Sequence, residues 1–179
     1  GHLDEAADIY EKLEQANASD VYARRQLLAL RADNTDGRTA RQWIEEIRSV
    51  EGEEGWQWKY ELARFLYRQE PFEAHYPQIA SLLEQNLVDN PDDLDSRVLL
   101  AGAYERANNL QLALSLYRQA LAARPDDVEL IVAAVALMYK AEEHRQAQQL
   151  LDRAMQQGLQ DVRLTRFELQ NSIRTGQID

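Results

Sequence analysis

Cysteine is missing from this 179-residue chain, and with it go disulfides, thiolate metal sites and cysteine nucleophiles. Its absence assigns no compartment, because an oxidising one does not require cysteine. Proline and glycine are scarce, at four and seven residues, which argues against a long disordered segment. Val, Ile and Thr are sparse, so a large sheet is not expected. No apolar run approaches the ~18 residues of a membrane span. The N-terminus lacks the apolar core of a signal peptide, which favours the cytoplasm; a leader ahead of Gly1 would redirect the chain to secretion or the periplasm.

Groups that would carry chemistry are thin as well. The three histidines, His2, His75 and His144, are far apart and share no metal-ligand spacing. Glu51, Glu53 and Glu54 crowd one turn beside Gly52 and Gly55, where a charged loop explains them better than acid–base work. Asp33-Asn34-Thr35-Asp36-Gly37 has some of the acids of a calcium loop but neither the spacing nor the closing Glu. There is no glycine-rich phosphate loop, and Asn17-Ala18-Ser19 is a glycosylation triplet of the kind that arises by chance. No catalytic residue, cofactor or metal is therefore expected, and the chain does not read as an enzyme.

Ala, Leu, Gln, Glu and Arg dominate what is present, and these favour helix. The net charge of -11 is uneven: residues 1–93 hold 20 acids and 10 bases, residues 94–179 hold 11 and 10. Such acidity favours solubility and opposes non-specific nucleic-acid binding.

Spacing carries most of the information. Shifted so that Leu94 falls on Val128, the chain overlays itself, and Ala113, Tyr117 and Ala120 fall on Ala147, Leu151 and Ala154. A further start falls at Val162. Backward, units start at Gly55, with Trp58, Glu61, Leu62 and Phe65, and at Val21, with Leu27, Leu28, Ala40, Ile44 and Ile47. The Gly55 unit carries about five extra residues, placed near Glu70-Pro71 as a longer inter-helix turn. Ahead of Val21, Ala6, Tyr10 and Leu13 repeat the small–large pattern of a half unit. Small Ala lets neighbouring helices approach and larger residues fill the space between them, so helical hairpins stack into one core. Asn108-Asn109 and Arg124-Pro125-Asp126-Asp127 read as turns, Pro stopping one helix and Asp capping the next. A plain four-helix bundle would share the helical period but would not need Ala to return at this fixed, longer step.

Leu100-Ala101, Tyr104, Ala113, Tyr117, Ala120 and Pro125 together resemble the tetratricopeptide repeat, whose unit is about 34 residues long. Arg97 and Ala101 stand where that pattern favours Trp and Gly. The resemblance implies an all-α, right-handed superhelical solenoid, one array over residues 1–179 with units starting near 21, 55, 94, 128 and 162 and partial units at both ends. It also implies that residues two, five, nine, twelve and thirteen of each first helix line a concave groove. Carried onto this chain, the candidate groove comprises Tyr22, Arg25, Trp56, Lys59, Tyr67, Arg68, Arg106, Tyr139, Lys140, Arg163 and Arg166. Small Ala29, Ala63, Gly102 and Ala136 leave room there for a ligand backbone. An extended or helical protein segment with acidic and apolar side chains suits this set. The Asn partners of the family's carboxylate clamp are replaced by Ala29 and Ala63, so that type of clamp is not expected. RNA reading is disfavoured, because Tyr22, Trp56, Asp95 and Glu129 share a repeat position but no chemistry. The reading is thus a non-catalytic scaffold binding protein or peptide. The alternative is a spacer or self-association module, joined through terminal repeats, within a longer protein.

Overall fold

The computed structural model describes residues 2–17, 19–30 and 37–174, and these form ten helices and no strand. They are α1 (His2–Ala16), α2 (Val21–Leu30), α3 (Gly37–Glu51), α4 (Trp56–Tyr67), α5 (Phe72–Asp89), α6 (Leu94–Arg106), α7 (Leu110–Ala123), α8 (Val128–Lys140), α9 (His144–Gln156) and α10 (Val162–Arg174). The all-α expectation holds. Two compact units divide the chain, Gly1–Pro91 and Asp92–Asp179.

In the second unit α6 packs on α7, α7 on α8, α8 on α9, and α10 on both α8 and α9. Its core contains the repeated small residues Ala113, Ala120, Ala147 and Ala154, with Tyr117 and Leu151 between them. These alanines are at most 1% exposed, so the backbones of neighbouring helices meet over their methyl groups. Helix α8 is apolar on most of its circumference because it has helices on several sides, and Leu130, Ile131, Ala134, Val135, Leu137 and Met138 are all buried. The turns repeat too. Asn108 and Glu142, one repeat apart, both adopt positive φ, at 61° and 62°. The amides that follow close over the helix ends, Asn109 N to Tyr104 O at 2.7 Å and Glu143 N to Met138 O at 2.8 Å.

In the first unit α1 packs on α2, α2 on α3, α3 on α4 and α4 on α5. Leu28, Ala40, Ile44, Ile47 and Trp58 form a shared core. Polar side chains also lie inside. Arg24 is buried and bridges α1 and α3, its guanidinium 3.0 Å from Glu14 and 2.9 Å from Glu46.

The first helix of a hairpin generally begins immediately after an acidic cap. Asp20, Asp93, Asp127 and Asp161 each accept a hydrogen bond from an amide of the first turn, at 3.0, 3.2, 3.1 and 2.7 Å. Before α4 the cap residue is Gly55, and a carboxylate from the preceding helix replaces the missing Asp: Glu51 accepts from Trp58 N at 3.0 Å. The repeating frame in this unit therefore starts at Trp56, one residue later than the sequence pattern suggests. The same offset occurs in α1, where Ala7 is buried while Leu13 is exposed.

The extra residues of this unit do not lengthen its turn appreciably. They extend α5, which has 18 residues against 14 in α7. The added helical turn begins at Phe72, which is buried against Tyr67 and Tyr76 with ring centroids 5.8 Å from each. Ala113, Tyr117 and Ala120 thus correspond to Ile79, Leu83 and Asn86, all buried.

Candidate functional site

Within the first unit, α2 presents Tyr22 and Arg25. Tyr22 is 60% exposed and meets Tyr10 edge-on, with ring centroids 6.1 Å apart. Arg25 is engaged on every side: Nε donates to Glu61 at 3.0 Å, a terminal nitrogen donates to Gln57 at 3.1 Å, and the guanidinium lies 5.2 Å from the Trp56 ring centroid and 5.7 Å from that of Tyr60. Glu61 is buried and also sits 2.6 Å from Arg64. Arg25 therefore joins α2 to α4.

Lys59 is not on an open surface. It is 3% exposed, with its ammonium 3.8 Å from both Glu54 and Asp89. Ala63, expected to leave room for a ligand, is fully buried. Both departures follow from the frame beginning at Trp56: residues expected to face outward rotate toward the hairpin interior, and Tyr60 and Arg64 come to the face shared with α2. Tyr67 is half-buried against Phe72, and Arg68 caps the end of α4 as an exposed side chain.

Within the second unit, α8 and α10 lie side by side. At their N-terminal ends Arg163 donates 2.8 Å bonds to Glu129 and to Asp161. The hydrogen bonds from Arg163 hold the Asp161 carboxyl down at about 2, and they also lower Glu129 and raise Arg163 itself. Further along, Tyr139 stacks on Phe167, with ring centroids 5.7 Å apart and planes 24° from parallel. The His144 ring also lies 5.7 Å from that of Tyr139. Lys140 and Arg166 are exposed and pair with no other described residue. Ala136 is exposed on the same helix as Tyr139, and Arg106 is exposed at the end of α6.

The structure thus brings together Arg25 with Trp56, and Tyr139 with the α10 residues beside it. It withdraws Lys59 and commits Arg25 and Arg163 to carboxylates of the chain itself. Gln57, Tyr60, Glu61, Arg64 and Phe167 were missed as members of these faces. Two signals were readable. The residue after each cap sets the frame, and Glu129 and Arg163 carry opposite charge at equivalent positions of successive units. The calcium-like acids at 33–36 and Ala18 of the glycosylation triplet lie outside the described residues. Among the described residues no group of three or more His, Asp or Glu could hold a metal ion. None of their helices is long and apolar enough to cross a membrane.

Helical hairpins whose buried alanines recur at one interval, Ala113 to Ala147 and Ala120 to Ala154, define a helical-repeat protein. Residues 106–167 match the family model for the tetratricopeptide repeat. The match assigns tetratricopeptide repeats to this segment. Solved structures share the fold over most of the chain. A thermophilic TPR protein of Thermus thermophilus is 17% identical, with 94% of this chain and 90% of that one covered and a TM-score of 0.73. PilF of Pseudomonas aeruginosa is 15% identical, with 98% and 87% covered and a TM-score of 0.71. YrrB, a TPR protein described as having an unusual peptide-binding site, is 16% identical, with 93% and 84% covered and a TM-score of 0.61. No curated protein sequence matches the chain.

Proposed function

We propose that the chain is a non-catalytic module that holds a protein or peptide on the face formed by the first helices of its hairpins. The observation that carries this reading is the surface shared by α8 and α10. Lys140 and Arg166 are exposed cations without partners among the described residues, and they are the chain neighbours of Tyr139 and Phe167, whose rings stack. An aromatic pair offers apolar contact at little entropy cost, while the cations select carboxylates. The tetratricopeptide match over residues 106–167 supports a binding role, and YrrB is a chain of this fold described as having a peptide-binding site. The ligand suited to the surface is an acidic segment with apolar side chains. Rigid helices order the face in advance, which lowers the cost of association.

The deciding experiment is a peptide array probed with the full chain, followed by the double variant Lys140→Glu/Arg166→Glu. Captured acidic peptides should be lost while the far-UV spectrum and melting temperature stay unchanged. Undiminished capture would overturn the reading. Charge reversal at Arg25 or Lys59 would be a poor test, because both serve internal contacts.

A second reading, self-association, is favoured by the outer side of α10, where Leu169 is 49% and Ile173 59% exposed. A mass that rises with concentration, and returns to monomer in Leu169→Glu, would support it.

A further inference from the structure

We infer that a second binding site, for an acidic peptide segment, lies between the second helices of the two hairpins of the Asp92–Asp179 unit. A cavity of about 370 Å³ opens between α7 and α9 over the flank of α8. Leu121, Ala122, Met138 and Leu150 form its apolar walls, and Arg118 and Arg153 stand at its rim. Its lining shares no residue with the face that carries Lys140 and Arg166, so it does not depend on the function proposed above.

Charge identifies the occupant. The protein as a whole is at -11, yet the residues lining this cleft include two arginines and no carboxylate. Arg118 is already held in place by Glu143 and Gln146. Arg153 is exposed and makes no hydrogen bond or ion pair with its side chain to any described residue. An unpaired guanidinium beside an apolar hollow fits a side-chain or terminal carboxylate next to one or two aliphatic side chains. Bidentate pairing would fix the direction of the segment, and burial of its apolar side chains would supply the remaining attraction.

A cleft in the other unit provides an internal contrast. Between α3, α4 and α5 lies a hollow of about 170 Å³, lined in part by Arg41, Glu45, Arg48 and Trp58. There Arg48 is occupied, 2.7 Å from Glu53 and 4.8 Å from the Trp58 ring centroid, and a carboxylate is already in the lining. In the smaller hollow both arginines thus have partners, Arg48 a carboxylate and Arg41 the Phe65 ring at 5.2 Å from its centroid, whereas Arg153 in the larger one has none among the described residues.

The test is an NMR titration of the ¹⁵N-labelled full chain with the acetylated, amidated peptide Glu-Leu-Leu-Glu-Glu-Leu-Leu-Glu. Saturable shifts are expected at residues 118–125 and 146–153. Arg153→Glu should weaken them about tenfold, the scale of one lost charge-assisted contact. Ala122→Trp, at an exposed position, should fill the hollow and weaken them similarly without altering charge. Lys140→Glu/Arg166→Glu should leave them unchanged, which separates this site from the α8–α10 face. Absence of saturable shifts, shifts confined to other helices, or equal binding of the all-Gln peptide would each overturn the proposal. So would retention of affinity in both Arg153→Glu and Ala122→Trp.

Discussion

Arg163 shows how a single residue on a binding face is assigned by its neighbours. Its guanidinium spans two carboxylates, one of which, Asp161, also caps the helix that carries it. The side-chain hydrogen bond from Arg163 is the main reason that Asp161 titrates at about 2 rather than at its ordinary 3.8. A carboxyl whose folded value is depressed stabilises the fold fully above its unfolded value, and that contribution disappears as pH falls through the folded one. Stability should therefore decline between about pH 4 and pH 2 in part because of this residue. Asp161→Asn retains a capping oxygen but removes the charge, so its acid-unfolding profile should be flatter over that interval. A profile parallel to that of the parent chain would sink the assignment. Lys59 is the opposite case. A buried ammonium is far from the expectation for a ligand-facing lysine, and only packing reveals it.

At the scale of the element, the start of α4 decides more than its composition. Asp20, Asp93, Asp127 and Asp161 each stand before Val or Leu, but here Gly55 precedes Trp56 and Glu51 supplies the carboxylate. Glycine is needed because a β-carbon at position 55 would collide with Cβ of Glu51 and lie 2.8 Å from its carboxylate oxygen. Installing the repeat's usual cap should therefore do harm. Gly55→Asp is expected to lower stability by about 1–3 kcal/mol, the cost of overpacking, and urea unfolding would measure it. A gain of stability would show that the cap, and not the close approach, governs this junction. The misplaced frame of α4 has the same origin. Lys59 and Glu61 occupy buried positions where the pattern leads one to look for apolar residues, so the hydrophobic period alone aligned the unit one residue early. In α1 the polar Glu14, which reaches Arg24, blurs the period in a similar way. Helices α6 to α9 keep apolar and small residues at their buried positions, and there the frame was legible from spacing.

At the scale of the whole molecule, each unit has an interior of its own character. The Asp92–Asp179 unit centres on apolar α8, while among the described side chains of α10 only Leu164 and Asn171 are buried. Repeat proteins open from their less buried elements, since each helix is held mainly by its neighbours. Amide exchange should consequently be slowest in α8 and fastest in α10 within this unit. Equal protection across α8, α9 and α10 would mean that the unit opens only as a whole.

The sequence by itself determined that the chain is helical, where most helices start and stop, and that hairpins recur at a fixed interval. Those properties depend on local propensity, capping and the spacing of small residues, all of which act over a few turns. Only the tertiary structure decided which cations remain available to a partner. That outcome turns on contacts between helices, where Glu61 reaches Arg25 and Glu129 reaches Arg163 across the intervening chain, and on a one-residue rotation of α4 that carries Lys59 inward.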